Sequence, residues 1–270
     1  MLKPIKSILY RLLISRLMSP VRRLLIKIVN NSTELKHEAK LYSFEKLSRK
    51  DEFKIIKLTK QDMPLLIDDF EAYQVLAVAK KTMKIEGDIA EVGVYKGGSA
   101  KLICTVKGSK NLHLFDTFEG LPDVLKIDAT RYQKGQFTVS LEEVKSNLSG
   151  YENVFFYKGI FPETGETVKD RTFSFVNLDV DIYESTINSL KFFYPRMNTG
   201  GVILSHDYNF AEGVKKAFDE YFEDKPEVII ELMGTQCVVV CTNRIAGVNQ
   251  NKTYPLKVDK GRIDGFKIGF

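Results

Sequence analysis

The strongest constraint on the fold of this chain is a glycine-containing segment, residues 88–100, which reads DIAEVGVYKGGSA. Its first half predicts a buried strand from Ile89 to Val94, and its end predicts a helix from Ser99 to Val106. The glycines between them, Gly93, Gly97 and Gly98, stand where the backbone must turn sharply and can approach a ligand closely. α/β proteins build nucleotide-type sites from a strand, a glycine turn and a helix in this order. The alternative interpretation is that the glycines form a tight turn that binds no ligand.

Short apolar runs alternate with helix-like patterns through the rest of the chain. Helices are predicted at Asp69–Met83, Leu141–Leu148, Ser185–Phe193 and Glu212–Phe222, and further strands at Asn111–Phe115, Val154–Tyr157, Phe173–Leu178 and Val202–Leu204. Two more strand-like runs, Glu227–Leu232 and Cys237–Cys241, suit an antiparallel hairpin at one sheet edge. Strands separated by helices favour an α/β fold with a mostly parallel, seven-stranded sheet and helices on both faces.

Length and composition bound the class of protein. The 270 residues suffice for one large α/β domain with extensions, and a hydrophobic content of 44% supports a real core. The three cysteines lie in apolar surroundings without a Cys-x-x-Cys spacing, which favours core packing in a reducing, cytoplasmic compartment. Because there are only three histidines, a histidine-rich metal site is excluded.

Positive charge is concentrated at the two ends of the chain. The formal net charge is +5, with +7 in residues 1–33 and +4 in residues 244–270, which leaves −6 for the body. An acidic body does not predict nucleic-acid binding. We therefore divide the chain into a basic, amphipathic N-terminal arm and linker (1–60), a central domain (61–243) and a basic C-terminal tail (244–270).

The arm has arginines and lysines between its apolar residues. No apolar stretch in it approaches the roughly 20 residues that cross a bilayer. Two short helices separated at Pro20 fit the pattern. Such helices can lie on a membrane surface or hold a partner, or they can pack on their own domain or on a second copy. Residues 1–30 therefore predict either a peripheral membrane contact or a packed helix, and their unclaimed apolar surface predicts a homo-oligomer.

Polar side chains follow several of the predicted strands. Asp116 ends the second strand, 23 residues after the first glycine of the turn, where an acidic side chain can accept from ribose hydroxyls. Asp179 and Asp181 follow the fourth strand, and His206 and Asp207 follow the fifth. Because ligands bind at the carboxyl ends of parallel strands, we expect these groups to share one rim.

Carboxylates and an imidazole on adjacent strand ends need a cation or a proton between them. Oxygen ligands with limited nitrogen ligation suit Mg²⁺ or Mn²⁺. Such an ion lowers the pKa of a substrate oxygen, and a spare aspartate can then take the proton. The alternatives are that Asp116 is a solvated loop residue and that Asp179 and Asp181 only cap the next helix.

Six sequence blocks within residues 65–242 resemble the macrocin O-methyltransferase family. These are class I S-adenosylmethionine (SAM)-dependent methyltransferases that act on sugar hydroxyls of macrolides and aminocoumarins. The blocks are EVGVYKGGS (91–99), FDTFEGLP (115–122), KGIFPET (158–164), LDVDIY (178–183), YPR (194–196) with GG (200–201), and HDY (206–208). The resemblance implies a Rossmann-like class I methyltransferase fold for residues 61–243, and transfer of a methyl group from SAM to a hydroxyl of a sugar or glycan.

The resemblance also implies a role for each matching residue. The residues that would surround the methionine part of SAM are Glu91, Gly93, Tyr95, Gly97 and Ser99, while Asp116 would bind its ribose. The ligands of Mg²⁺ or Mn²⁺ would be Asp179, His206 and Asp207, and Asp181 would deprotonate the acceptor hydroxyl. Family members usually carry aspartate at the position of His206. This difference leaves the metal open, and His206 can also serve as the base in place of Asp181.

Residues 117–137 form a long connection of the kind that serves as a lid, and we expect this segment to close over SAM. Two other functions are weighed against methyl transfer. An NAD-dependent oxidoreductase is disfavoured because the turn lacks the Gly-x-Gly-x-x-Gly spacing. A non-catalytic SAM- or partner-binding module is disfavoured because the aspartates at the strand ends are retained. The acceptor can be a small molecule or a cell-surface or lipid-linked glycan.

Overall fold

The computed structural model describes residues 49–242, so the arm helices, the membrane contact and the basic tail lie outside the described residues. The helices are α1 (Lys50–Asp62), α2 (Asp69–Thr82), α3 (Gly98–Cys104), α4 (Leu141–Asn147), α5 (Tyr183–Phe193) and α6 (Glu212–Phe222). The strands are β1 (Asp88–Val92), β2 (Leu112–Asp116), β3 (Val154–Lys158), β4 (Phe173–Leu178), β5 (Met197–Ser205), β6 (Ile230–Glu231) and β7 (Cys237–Val240). Short 3₁₀ helices cover Glu163–Val168 and Tyr194–Arg196.

The seven strands form one sheet in the order β3-β2-β1-β4-β5-β7-β6. Strands β1 to β5 are parallel, whereas β7 runs antiparallel to both β5 and β6. The predicted mostly parallel α/β sheet with an antiparallel edge hairpin is therefore confirmed. The strand order reverses between β1 and β4, and α/β sheets bind their ligands in the crevice at such a point.

Each face of the sheet has its own apolar core, because alternate residues of a strand point to opposite faces. On one face, Ile89 and Leu114 pack with apolar residues of α1, α2 and α3. On the other face, Val92 and Phe115 pack with residues of α5 and α6, among them the fully buried Phe193. The prediction of helices on both faces is confirmed.

Helix α1 was not predicted, and the domain boundary placed at residue 60 falls inside it. Its sequence is largely polar, and only Phe53, Ile56 and Thr59 are buried. Phe53 stacks on Tyr73 of α2 with ring centroids 5.7 Å apart. This contact attaches α1 to the core, although its composition resembles that of a linker.

The edge strand β6 is shorter than the predicted Glu227–Leu232. The Glu227 carboxylate accepts hydrogen bonds from the Tyr194 hydroxyl (2.6 Å) and from the Thr242 N–H (3.0 Å). These bonds hold the chain to the 3₁₀ helix after α5, so regular pairing starts only at Ile230.

Two further expectations can be examined within residues 49–242. All three cysteines are buried free thiols, as expected for core packing. None of the helices in this range combines the length and the apolar character needed to span a bilayer.

Candidate active site

A cavity of about 580 Å³ opens at the carboxyl ends of β1, β2, β4 and β5. The 117–137 segment covers one side of it. The lining includes Gly93, Tyr95 and Ser99 after β1, Asp116 after β2, Asp179–Asp181 after β4 and His206–Asp207 after β5, together with Gly120, Tyr132 and Phe137 of the 117–137 segment. The structure thus brings most of the predicted site residues to one cavity.

Gly93 ends β1 and allows two loops to approach each other closely. Its φ is +82°, a conformation that glycine adopts readily. A Cβ at this position would lie 1.8 Å from the backbone oxygen of Asp179. The predicted strand end at Val94 is therefore too late by two residues, because the backbone must turn at Gly93 to pass the loop after β4. Gly97 (φ +86°) precedes α3 and packs beside Val144, outside the cavity lining.

Asp116 holds the turn after β1 against the loop after β2. Its Oδ2 accepts from the N–H groups of Val94 (2.7 Å) and Tyr95 (2.9 Å), and its Oδ1 accepts from the Phe118 N–H (2.8 Å). The Thr117 hydroxyl lies 3.5 Å from Oδ1 but only 2.6 Å from the Gly120 carbonyl oxygen. The fourth of the roughly four acceptor positions of this carboxylate is therefore only weakly used. The sequence predicted a ribose ligand, and the structure adds a role in building the loop.

Asp116→Ala is expected to lower the free energy of unfolding by about 2–4 kcal/mol, because it leaves N–H groups of the turn without their charged acceptor. Chemical denaturation of both proteins measures this difference. Asp123→Ala is the control, since the Asp123 side chain is 89% exposed in an ion pair with Lys134. Equal stability of wild type and Asp116→Ala would show that the turn holds without this carboxylate.

Glu91 lies inside β1 and is fully buried, behind the cavity wall rather than in its lining. Its Oε1 accepts from the Asn177 amide at 2.7 Å, while Oε2 has no hydrogen-bond partner among the described residues. Burial raises the pKa of Glu91 to about 8, and the charges of Asp179 and Asp116 act in the same direction. A buried carboxyl group therefore stands directly behind the glycine turn, and the Ser99 and Asn177 side chains lower its pKa in part.

Asp179, His206 and Asp207 form a cluster in which each residue offers one ligand atom within 4.8 Å of the others. His206 Nδ1 lies 3.3 Å from Asp179 Oδ1 and 3.0 Å from Asp207 Oδ1. Burial lowers the pKa of His206, but the charge of Asp179 and hydrogen bonds to neighbouring carboxylates outweigh it and raise the pKa well above its usual range. The two carboxylates thus create a strong preference for positive charge between them.

Asp181 stands beside this cluster in a strained backbone conformation. Its φ is +64°, and that of Asp207 is +61°, both unusual for residues with a side chain and typical of functional sites. Burial, and then the charges of Asp179 and Asp207, raise the pKa of Asp181 well above its usual value. For Asp207, burial is outweighed by the hydrogen bond and charge of His206, which lower its pKa. The two shifts run in opposite directions because the Asp207 carboxylate lies against the His206 ring.

Two residues of the 117–137 segment tie it to the site, and no sequence motif indicated either of them. The buried Tyr132 hydroxyl donates to Asp207 Oδ2 at 3.0 Å. The buried Asp128 accepts from the Tyr183 N–H at the start of α5 at 3.0 Å, next to Gly213 of α6, where a Cβ would lie 1.9 Å from Asp128 Oδ1. The segment is thereby fixed over the cluster at two points.

Glu71 of α2 is a third residue that the sequence analysis did not single out. Its Oε1 accepts from the N–H and the hydroxyl of Thr235, each at 2.9 Å, and its Oε2 accepts from the Asp68 N–H at 3.1 Å. Glu71 Oε2 also lies 3.3 Å from His206 Nε2. Burial raises the pKa of Glu71, but the adjacent His206 ring and the Thr235 N–H bond outweigh it and lower the pKa to about 2. The only sequence signal was the helix-capping pair Asp68 and Glu71.

Comparison with known proteins places this site in a family. Residues 67–237 match the family model for macrocin-O-methyltransferase (TylF). A demethyldecarbamoylnovobiocin O-methyltransferase of Streptomyces niveus is 31% identical over 153 residues, which cover 51% of this chain and 58% of that protein. A tetracenomycin-type rhamnosyl 4'-O-methyltransferase of Streptomyces olivaceus is 30% identical over 140 residues, 46% of this chain and 54% of that protein. The chain therefore spans little more than half the length of these two relatives.

Solved structures agree with the assignment. The O-methyltransferase NovP is 26% identical with a TM-score of 0.59, and the match covers 64% of this chain and 80% of that one. The calicheamicin methyltransferase CalS11 has a TM-score of 0.55 at 15% identity, covering 88% of this chain and 91% of that one, which bears on the fold alone. Because the family model matches well over half of the sequence, the chain belongs to the macrocin-O-methyltransferase (TylF) family.

Proposed function

We propose that this protein is a SAM-dependent O-methyltransferase that methylates a sugar hydroxyl with the help of a divalent metal and an aspartate base. The observation that carries the proposal is that the glycine turn and the group of Asp179, Asp181, His206 and Asp207 line one cavity. A donor held by the turn would therefore face the groups that can activate an acceptor. Membership of the family and the names of the relatives support the same reaction class.

The donor would lie against the turn after β1. Gly93, Tyr95 and Ser99 line the cavity there. Asp116, whose fourth acceptor position has only a long contact with the Thr117 hydroxyl, would accept from a ribose hydroxyl. Glu91 and Gly97 would contribute from behind the wall, Glu91 by supporting the turn and Gly97 by its backbone conformation. Glu91 and Gly97 are absent from the cavity lining, so we propose an indirect role for them instead of the direct contact with SAM that the sequence predicted.

The donor set of the cluster fits a divalent metal. The ligand atoms of Asp179, His206 and Asp207 lie close enough together to share one ion. Two carboxylates and one imidazole suit Mg²⁺ or Mn²⁺, and the imidazole favours Mn²⁺. When bound, the metal supplies positive charge that orients the acceptor oxygen and lowers its pKa.

Asp181 would serve as the base. Its carboxylate would accept the proton of the acceptor hydroxyl, while SAM, when bound, would supply the methyl group and leave as S-adenosylhomocysteine. Positive charge between Asp179 and Asp207 would favour the ionised form of Asp181, whose pKa burial and those two charges otherwise raise. Tyr132 would hold Asp207 in place, and the 117–137 segment would exclude water from the reacting atoms.

The acceptor would be a sugar carried on an apolar group. Leu66, Ile160 and Phe210 line the cavity and are 66%, 53% and 49% exposed, so they offer apolar contacts at its mouth. A sugar attached to an antibiotic aglycone and a lipid-linked glycan both combine a sugar with an apolar group. A cytoplasmic location, a homo-oligomeric state and a peripheral membrane contact through residues 1–30 belong to the same proposal.

Calorimetric titration of SAM with and without Mn²⁺ tests the donor and metal sites first, and a panel of glycosides then tests the acceptor. Tight SAM binding with metal-dependent turnover supports the proposal. Binding of NAD in place of SAM would favour the oxidoreductase, and SAM binding without turnover on any glycoside would favour a non-catalytic module.

His206→Asp is expected to shift metal preference toward Mg²⁺ by on the order of tenfold relative to Mn²⁺, because a carboxylate is a harder ligand than imidazole. Competition titrations of both ions on wild type and variant measure the ratio. An unchanged ratio would show that His206 is not a ligand.

A further inference from the structure

The second ring nitrogen of His206 faces a buried carboxylate. Nδ1 points to Asp179 and Asp207, whereas Nε2 is buried and makes no hydrogen bond among the described residues. Glu71 Oε2 lies 3.3 Å from Nε2, and the Glu71 side chain is only 7% exposed. This separation is only slightly longer than a usual N–H···O hydrogen bond, so Nε2 and Oε2 are within reach of each other.

We propose that Glu71 is a positioning residue that keeps the proton of His206 on Nε2, so that the lone pair of Nδ1 faces the metal. This inference rests on the metal site of the proposed function. Metal-binding histidines usually donate their other N–H to a carboxylate or carbonyl, which fixes the tautomer and the ring orientation. Glu71 is the carboxylate that occupies this place beside His206.

The hydrogen bonds of Glu71 fix which of its oxygens faces the ring. Oε1 receives both the N–H and the hydroxyl of Thr235, and Oε2 receives the Asp68 N–H. Oε2 therefore has a free lone pair for the Nε2 proton. Because three donors anchor the carboxylate, it cannot turn away from His206 without losing them.

The same anchoring makes Glu71→Gln a sharp test. Two donors from Thr235 favour the glutamine oxygen at the Oε1 position, which places its NH₂ group opposite Nε2. An NH₂ group donates to Nε2 and so moves the imidazole proton to Nδ1, where the metal would bind. We expect Mn²⁺ affinity to fall 10–100-fold, the range found when such supporting partners are removed.

Mn²⁺ binding, measured by the electron paramagnetic resonance signal of free Mn²⁺, should be compared in wild type, Glu71→Gln and Asp68→Ala. Asp68 caps the same helix by accepting from the N–H groups of Phe70 and Glu71, and it does not face His206. We expect Asp68→Ala to bind Mn²⁺ within twofold of wild type. Equal affinity in Glu71→Gln, or an equal loss in Asp68→Ala, would overturn the role of Glu71 and leave the metal site intact. No binding by wild type would overturn the metal site itself.

Nitrogen-15 chemical shifts of His206 give a readout that a helix-capping role would not move. We expect Nε2 to carry a proton in wild type when Mg²⁺ is bound, and to lose it in Glu71→Gln under the same conditions. The His206 signals are assigned by their disappearance in His206→Asp. If Glu71→Gln does not fold, the wild-type spectrum decides alone, since an unprotonated Nε2 would contradict the proposal.

Discussion

Asp181→Asn is expected to lower kcat by about 10²–10⁴-fold on any acceptor that the wild-type protein methylates, the usual contribution of a general base. The amide keeps the size of the side chain and cannot accept the hydroxyl proton. SAM and Mn²⁺ should bind with unchanged affinity, because Asp181 belongs to neither predicted ligand set. Release of S-adenosylhomocysteine measures turnover, and calorimetry measures binding.

Asp123→Asn is the matched control for this variant, since it makes the same chemical change at an exposed position of the 117–137 segment. The alternative base is His206. Retention of activity by Asp181→Asn, together with loss of activity without loss of metal in a His206 variant, would assign the base to His206.

Gly93→Ala is expected to be the most destabilising single change in the cavity wall, lowering the free energy of unfolding by roughly 3–5 kcal/mol. A side chain in this left-handed conformation costs about 1–2 kcal/mol, and overpacking adds about 1–3 kcal/mol or more. Here the new Cβ would meet a backbone oxygen, that of Asp179, at 1.8 Å, so relief requires movement of the β4 loop. Because this loop carries Asp179 and Asp181, SAM binding and Mn²⁺ binding should fall together.

Gly135→Ala separates the two contributions. Gly135 also has a positive φ, +80°, but a Cβ there would meet nothing within 4 Å. Gly135→Ala should therefore lower the free energy of unfolding only by the cost of the left-handed conformation, about 1–2 kcal/mol. Equal losses in the two variants, measured by urea denaturation, would mean that the close approach of Gly93 to Asp179 does not limit stability.

The sequence predicted the sheet and the members of the cavity because both follow from local rules. Apolar runs separated by helical patterns predict parallel strands, and residues after those strands must meet at one edge. The sequence alone therefore groups Asp179, Asp181, His206 and Asp207. Helix α1 was not predicted because only three of its thirteen residues are buried, so its apolar pattern is weak.

The parts that the sequence missed depend on contacts between distant segments. Glu71 precedes His206 by 135 residues, and Tyr132 meets Asp207 from the other side of the cavity. No local pattern reports such a pairing. Asp116 was identified by its position but not by its bonds, because three of its acceptor positions are filled by backbone groups of neighbouring loops. Its role as a ribose ligand stays a prediction.

The bonds of Asp116 also have a thermodynamic consequence. They order the turn after β1 while the protein folds, so the entropy lost in fixing that turn belongs to the folding equilibrium and not to donor binding. A ligand that enters a preordered turn loses less of its interaction free energy to loop ordering. Donor binding should then depend little on the motion of the turn, and the entropy change on binding should report mainly the ordering of the ligand and of the side chains that contact it.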